Sequence, residues 1–185
     1  MIERIKNALA RCGIALWRIN ERAEETAELF FVKRQLDTRR SKDVRKYEVT
    51  VFRDVENPDG GKPSRGFTSV QLAASMDDGQ IERALKDAYY SAQFAANPYF
   101  ELTDPVKAPL VEKAGELAEA PLAWSAGRMA KALFAADVQE DAFINSAELF
   151  VIRSTDRILS SEGTDVSYTD AEVKGEFVAQ CREPE

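Results

Sequence analysis

The side chains that could do chemistry in this chain are carboxylates, two cysteines, a few paired serines and a cluster of cations, because histidine is absent from all 185 residues. Without imidazole the chain lacks the commonest metal ligand and the one side chain that titrates near neutrality when unperturbed. A Ser-His-Asp triad, a Cys-His dyad and an HExxH zinc site are therefore impossible within it. Adjacent acids occur at Asp77/Asp78 and Glu24/Glu25. Their positions, at a helix start and in a polar connection, fit caps and surface charge better than a general acid–base couple. No compact acidic run resembles an EF-hand loop. Gly60-Gly61 has neither a Walker-A lysine nor a following helix, and Ser160-Ser161 lies where a hairpin turn is expected. Cys12 and Cys181 stand near opposite ends without a CxxC, which fits two small, half-buried thiols. With no signal peptide, a reduced state and a cytoplasmic location are expected. The residues thus predict no catalytic, cofactor-binding or metal position.

The cations are clustered. Residues 33–46 hold Lys33, Arg34, Arg39, Arg40, Lys42, Arg45 and Lys46 against Asp37 and Asp43, within a chain of net charge −7. The overall field opposes nucleic acid, and the flanking aromatics Phe30, Phe31 and Tyr47 sit in apolar strand patterns rather than on a stacking platform. A solvated hairpin end is the first reading of this stretch, an acidic protein or peptide partner the second, nucleic acid the third. No apolar run approaches the ~20 residues that span a bilayer.

The elements that would position these groups can be read from periodicity. Ile2, Ile5, Leu9 and Cys12 recur at helical spacing until Gly13. Strands are predicted at Ala15–Ala23, at Glu28–Asp37 with both faces buried, at Lys46–Arg53 and at Gly66–Ala74, forming an antiparallel meander with a turn at Asn57-Pro58-Asp59-Gly60-Gly61. Asp77 and Gln80 have capping-box spacing ahead of Ile81, Leu85, Ala88, Ala92 and Ala95, a helix expected to run to Asn97-Pro98. Residues 98–120 form a proline-containing connector with a short helix around Leu110–Ala118. Pro121 opens a helix with Leu122, Met129, Leu133 and Phe134 inside. Strands follow at Ala147–Arg153, Arg157–Ser160 and Ala171–Gln180, with a turn at Ser161-Glu162-Gly163. Ala27-Glu28-Leu29-Phe30-Phe31-Val32-Lys33-Arg34 is echoed by Ala147-Glu148-Leu149-Phe150-Val151-Ile152-Arg153. Duplication of a helix-plus-strands unit and chance likeness of two buried strands both account for this. The expected fold class is α+β, mostly antiparallel sheet with packed amphipathic helices. Residues 1–97 and 121–185 would form two α/β units.

Several local words, in order, resemble the N-terminal region of the TldD/PmbA family of metallopeptidase-related proteins, which also carries the older label modulator of DNA gyrase. They are Lys42-Asp43-Val44 leading into Tyr47-Glu48-Val49-Thr50-Val51, Arg65-Gly66, the helix from Ile81 to Tyr89, Asn97-Pro98-Tyr99, Ile144-Asn145-Ser146-Ala147-Glu148-Leu149-Phe150, Arg157-Ile158-Leu159-Ser160-Ser161-Glu162-Gly163 and Asp165-Val166-Ser167-Tyr168. The likeness runs over nearly the whole chain. It implies a parent more than twice as long, in which a β-rich C-terminal region follows. That region carries an HExxxH zinc motif in TldD-like members and lacks it in PmbA-like ones. The resemblance further implies a homologous subunit as partner, as homodimer or heterodimer, and proteolysis of unfolded peptides. On this reading the chain is a non-catalytic N-terminal domain, excised or naturally short, that shapes the peptide cleft, pairs subunits, or both. Any zinc would lie in the C-terminal region. The alternative is a stand-alone interaction module that binds an acidic partner through residues 33–46.

Overall fold

The computed structural model of the chain describes residues 1–56, 63–105 and 115–181. The order of elements is α1 (Ile2–Arg11), β1 (Leu16–Val32), β2 (Gln35–Val55), β3 (Ser64–Leu72), α2 (Asp78–Ala92), β4 (Ala96–Asn97), α3 (Glu116–Glu119), α4 (Leu122–Ala136), β5 (Ala142–Ser160) and β6 (Asp165–Cys181). The six strands lie in the order β4-β3-β2-β1-β5-β6. Pairing of β2 with β3 and of β3 with β4 is antiparallel. The bonds Lys33 N–H to Asn145 O and Ser161 N–H to Trp17 O show that β1 and β5 are antiparallel as well. This is the expected α+β class with an antiparallel sheet.

Several predicted segments fuse. Ala15–Ala23 and the first half of Glu28–Asp37 are one strand, β1, and the two segments between 147 and 160 are one strand, β5. The polar residues read as breaks, such as Glu24-Glu25 and Thr155-Asp156, stay in strand, and their carboxylates find cross-strand partners there: Lys42–Glu24, Arg153–Glu25 and Arg22–Asp156. Glu28–Asp37 is instead divided by a tight turn at Lys33-Arg34, where Lys33 takes φ 54. Phe30 and Phe31 are only half-buried and Val32 is exposed, so that segment is not buried on both faces. Helix α2 ends at Ala92 rather than at Pro98, since Ala96-Asn97 turns back as β4 onto Arg65 and Gly66. β3 ends at Leu72, leaving Ala74 outside it and exposed. The predicted turn at residues 57–61 and most of the short helix around 110–118 lie outside the described residues; α3 falls at the end of the latter.

Two compact units share the long strands. The first comprises Met1–Arg22, Arg45–Leu110 and Asp156–Tyr168. Its core joins Ile5, Ala8 and Leu9 of α1 and Ile81, Leu85 and Ala88 of α2 to Ile19, Tyr47, Val49, Val51, Leu72 and Leu159. Gly13, at φ +67, ends α1 at no steric cost, and Asp77 and Gln80 form the predicted capping box on α2. Arg65 ties the segment after β4 to the sheet. It is 5% exposed, forms a paired ion bridge to Asp54 at 2.6 and 2.9 Å, donates to Phe100 O at 2.8 Å and lies over the Tyr99 ring. Beside it, a Cβ on Gly66 would come 1.7 Å from Ala92 O at the end of α2, so only glycine fits.

The second unit comprises Ala23–Val44, Val111–Thr155 and Thr169–Glu185. Helix α4 buries Ala126 and Ala130 on Ala27, Leu29, Leu149 and Val151, while Leu122, Met129, Leu133 and Phe134, expected inside, are only partly buried at its margin. Phe134 meets Phe31 edge to face at 4.9 Å. The echoed segments are thus neighbours in the sheet, and their leucines share one core.

Two outcomes test this packing. Gly66→Ala should lower stability by about 3 kcal/mol, the scale of a severe overpacking clash, read by urea denaturation. The Arg65 donors hold the Asp54 carboxyl below the usual range. A depressed carboxylate stabilises above its unfolded value, about 4, and the contribution vanishes as pH falls through the folded value. Wild-type stability should therefore drop on acidification below about pH 4 by more than that of Asp54→Asn.

Candidate functional site

Most of the candidate chemical groups have structural partners among the described residues. Asp77 caps α2, while Asp78 pairs with Arg4 at 2.8 Å. Glu24 and Glu25 serve the cross-strand pairs already described. Ser160 Oγ accepts from Thr164 N–H at 3.2 Å, and Ser161 Oγ accepts from Trp17 N–H at 3.2 Å and donates to Glu162. Both serines thus shape the β5–β6 turn, where Gly163 supplies φ +97. Cys12 donates to Glu82 O at 3.8 Å, and burial pushes its thiol pKa up. Cys181 is exposed. Gly60-Gly61 lies outside the described residues. No group of three or more Cys, Asp or Glu side chains is placed to hold a metal among the described residues. No helix there is long and apolar enough to cross a membrane.

The basic stretch is engaged within its own chain. Lys33 and Arg34 make the β1–β2 turn, and the remaining cations lie along β2 rather than at a hairpin end. Arg34 pairs with Asp137, Arg40 with Glu28 at 2.9 Å, Lys42 with Glu24 at 3.0 Å and Arg45 with Glu21 at 3.7 Å. Arg40 also stacks over Phe30 at 4.6 Å. Each pair is worth little energetically at such exposure, but together they neutralise most of the apparent patch.

A cavity and an open sheet edge stand out among the described residues. In the first unit a cavity of about 470 Å³ is bordered by Trp17, Phe52, Leu102, Ile158 and Val166, with Arg18 and Asp104 among its polar residues. Of its hydroxyls, that of Ser160 accepts from Thr164 N–H in the β5–β6 turn.

In the second unit the outer strand is open. β6 has a neighbour on one side only among the described residues. From Thr169 to Cys181 its free edge runs roughly 40 Å, at about 3.3 Å per residue. Along this edge half of the backbone N–H and C=O groups point away from β5. One face carries Ala171, Val173, Gly175, Phe177 and Ala179, and the other Asp170, Glu172, Lys174, Glu176 and Val178. The first face belongs with α4. A Cβ on Gly175 would lie 3.3 Å from Leu149 Cδ2, and Phe177 lines a concavity with Leu133, Ala136 and Ile144. Yet α4 does not cover it: Val173 is 46% and Phe177 55% exposed. The opposite sheet edge is shorter, since β3 has nine residues and β4 occupies Arg65 and Gly66.

No family model and no curated protein matches the sequence. Solved structures do. The chain superposes on TldE from Thermococcus kodakarensis with TM-score 0.63, at 14% identity, over 97% of its own length and 40% of that chain. A Thermotoga maritima protein described as a candidate modulator of a DNA gyrase gives 0.68, at 14% identity, over 100% and 41%. A Bacteroides thetaiotaomicron protein of the same description gives 0.57, at 13%, over 94% and 39%. The fold is that of part of a TldE-like protein. The resemblance read from the sequence thus holds at the level of fold, and the chain spans about two-fifths of those proteins.

The two unlike faces of β6, though not its place at the edge, had a signal in the sequence. From Asp170 to Ala179, small or apolar residues alternate with polar ones, apart from Val178, and no later strand follows within the described residues. A strand identified by residue type alone hides that alternation. If edge exposure is as described, Phe177→Ser should cost less than about 1 kcal/mol, against about 3 kcal/mol for Leu149→Ala beneath α4, in paired denaturation curves.

Proposed function

We propose that this chain is a non-catalytic domain of a TldD/PmbA-like protein that holds an unfolded peptide in extended form along the free edge of β6. The observation carrying this reading is the open run from Thr169 to Cys181, beside an apolar floor that α4 leaves exposed. A sheet edge bonds to the backbone of an added strand, giving affinity with little demand on sequence. That property suits a domain serving proteolysis of varied unfolded chains. Hydrolysis would belong to a different region, since the carboxylates, serines and cysteines described above are caps, ion-pair partners or isolated thiols. In a longer parent, the same domain would border the cleft and meet a homologous subunit.

The acidic-partner reading loses weight because four of the seven cations in 33–46 are paired with acids of the same chain. A cytoplasmic location is part of the proposal.

Binding of a fluorescent, unfolded peptide to the purified chain tests the proposal. Anisotropy should report a complex that Val173→Pro weakens at least ten-fold, while the peptide stays intact with or without added zinc. Chelator-sensitive cleavage would contradict the non-catalytic assignment. Binding unaffected by the β6 substitution would contradict the edge.

A further inference from the structure

The free edge of β6 carries more information than its open backbone. Its two faces differ sharply in chemistry. The α4-side face is small and apolar at Ala171, Val173, Gly175, Phe177 and Ala179. The opposite face presents Asp170, Glu172 and Glu176 against the single cation Lys174, which pairs with Glu172 at 3.2 Å. Asp170 accepts only from the adjacent Ala171 N–H among the bonds described, so its negative charge stays uncompensated there. These residues are exposed.

An added strand must follow the same pleat. Its side chains alternate between the two faces and meet those of β6 about 5 Å away. On the α4 side they would extend the floor formed by Phe177 with Leu133, Ala136 and Ile144, where apolar groups lose water. On the other side they would stand opposite three carboxylates and Lys174, a net negative face, where acidic residues are repelled and cations attracted. An uncharged polar strand satisfies the backbone but neither face.

Resting on the edge reading above, we infer that the occupant of β6 is an extended segment alternating apolar with basic residues. Selectivity comes from charge on the acidic face, while affinity comes from the shared backbone ladder and the apolar floor. Cross-strand opposite-charge pairs are individually modest, so three of them amount to about ten-fold in affinity.

The test uses blocked synthetic peptides and this chain, with affinity read by calorimetry at low salt. One peptide alternates valine with lysine, a second alternates valine with glutamate, and a third has the lysine peptide's composition in scrambled order. A fourth is the lysine peptide N-methylated at alternate residues. The lysine peptide should bind about ten-fold more tightly than the glutamate and scrambled ones, and N-methylation should abolish binding. The combined Asp170→Asn, Glu172→Gln and Glu176→Gln variant, altered only at exposed positions, should erase the preference for lysine over glutamate. Equal binding of lysine and glutamate peptides, with N-methylation still abolishing it, overturns the charge match and leaves the edge reading standing. Binding indifferent to N-methylation, or none by any peptide, overturns the edge reading itself.

Discussion

A β-sheet that stops must leave a row of backbone donors and acceptors without a strand partner, and among the described residues the longer such row falls on β6. Natural edges are often blunted by proline, by bulges or by shortness. Between Thr169 and Cys181 there is no proline, and the strand is long. Acidic residues on one face supply the visible protection. They discourage pairing with chains of like charge while leaving the backbone accessible.

The rest of the fold secures the sheet that carries this edge. In the first unit, α1 and α2 bury Ile5, Leu9, Ile81 and Leu85 against Ile19, Val49, Val51 and Leu159. In the second, α4 rests its alanines on Leu29, Leu149 and Val151. Small residues at Ala126 and Ala130 let the helix lie close to β1 and β5. Its margin stops short of Val173 and Phe177, which is why an apolar face stays open beside β6.

Much of this fold was legible in the sequence where local chemistry is decisive. The Asp77–Gln80 capping box, the stop at Gly13, the start of α4 at Pro121 and the turn at Gly163 each follow from one residue's conformational or hydrogen-bonding demand. Strand lengths were not legible, because Glu24, Glu25 and Asp156 read as breaks until their cross-strand partners are known. The basic stretch misled for the same reason, as its acids lie far away in sequence. The words that carried the resemblance prove to touch one another. Arg65 reaches Tyr99 and Phe100, Gly66 admits the end of α2, and Arg157 forks onto Asp165 at 2.8 and 2.9 Å. The edge itself could not be identified from the chain alone, since strand order is a long-range property; only the alternation from Asp170 to Ala179 hinted at two unlike faces.

Amide hydrogen exchange along β6, measured residue by residue with and without a saturating unfolded peptide, bears most directly on this account. The free chain should show alternating protection from Thr169 to Cys181, slow where the N–H points to β5 and fast where it points outward. The fast amides should become protected in the complex. Uniform protection in the free chain, or outward amides unchanged by the peptide, would contradict the claim that this edge is open and receives a strand.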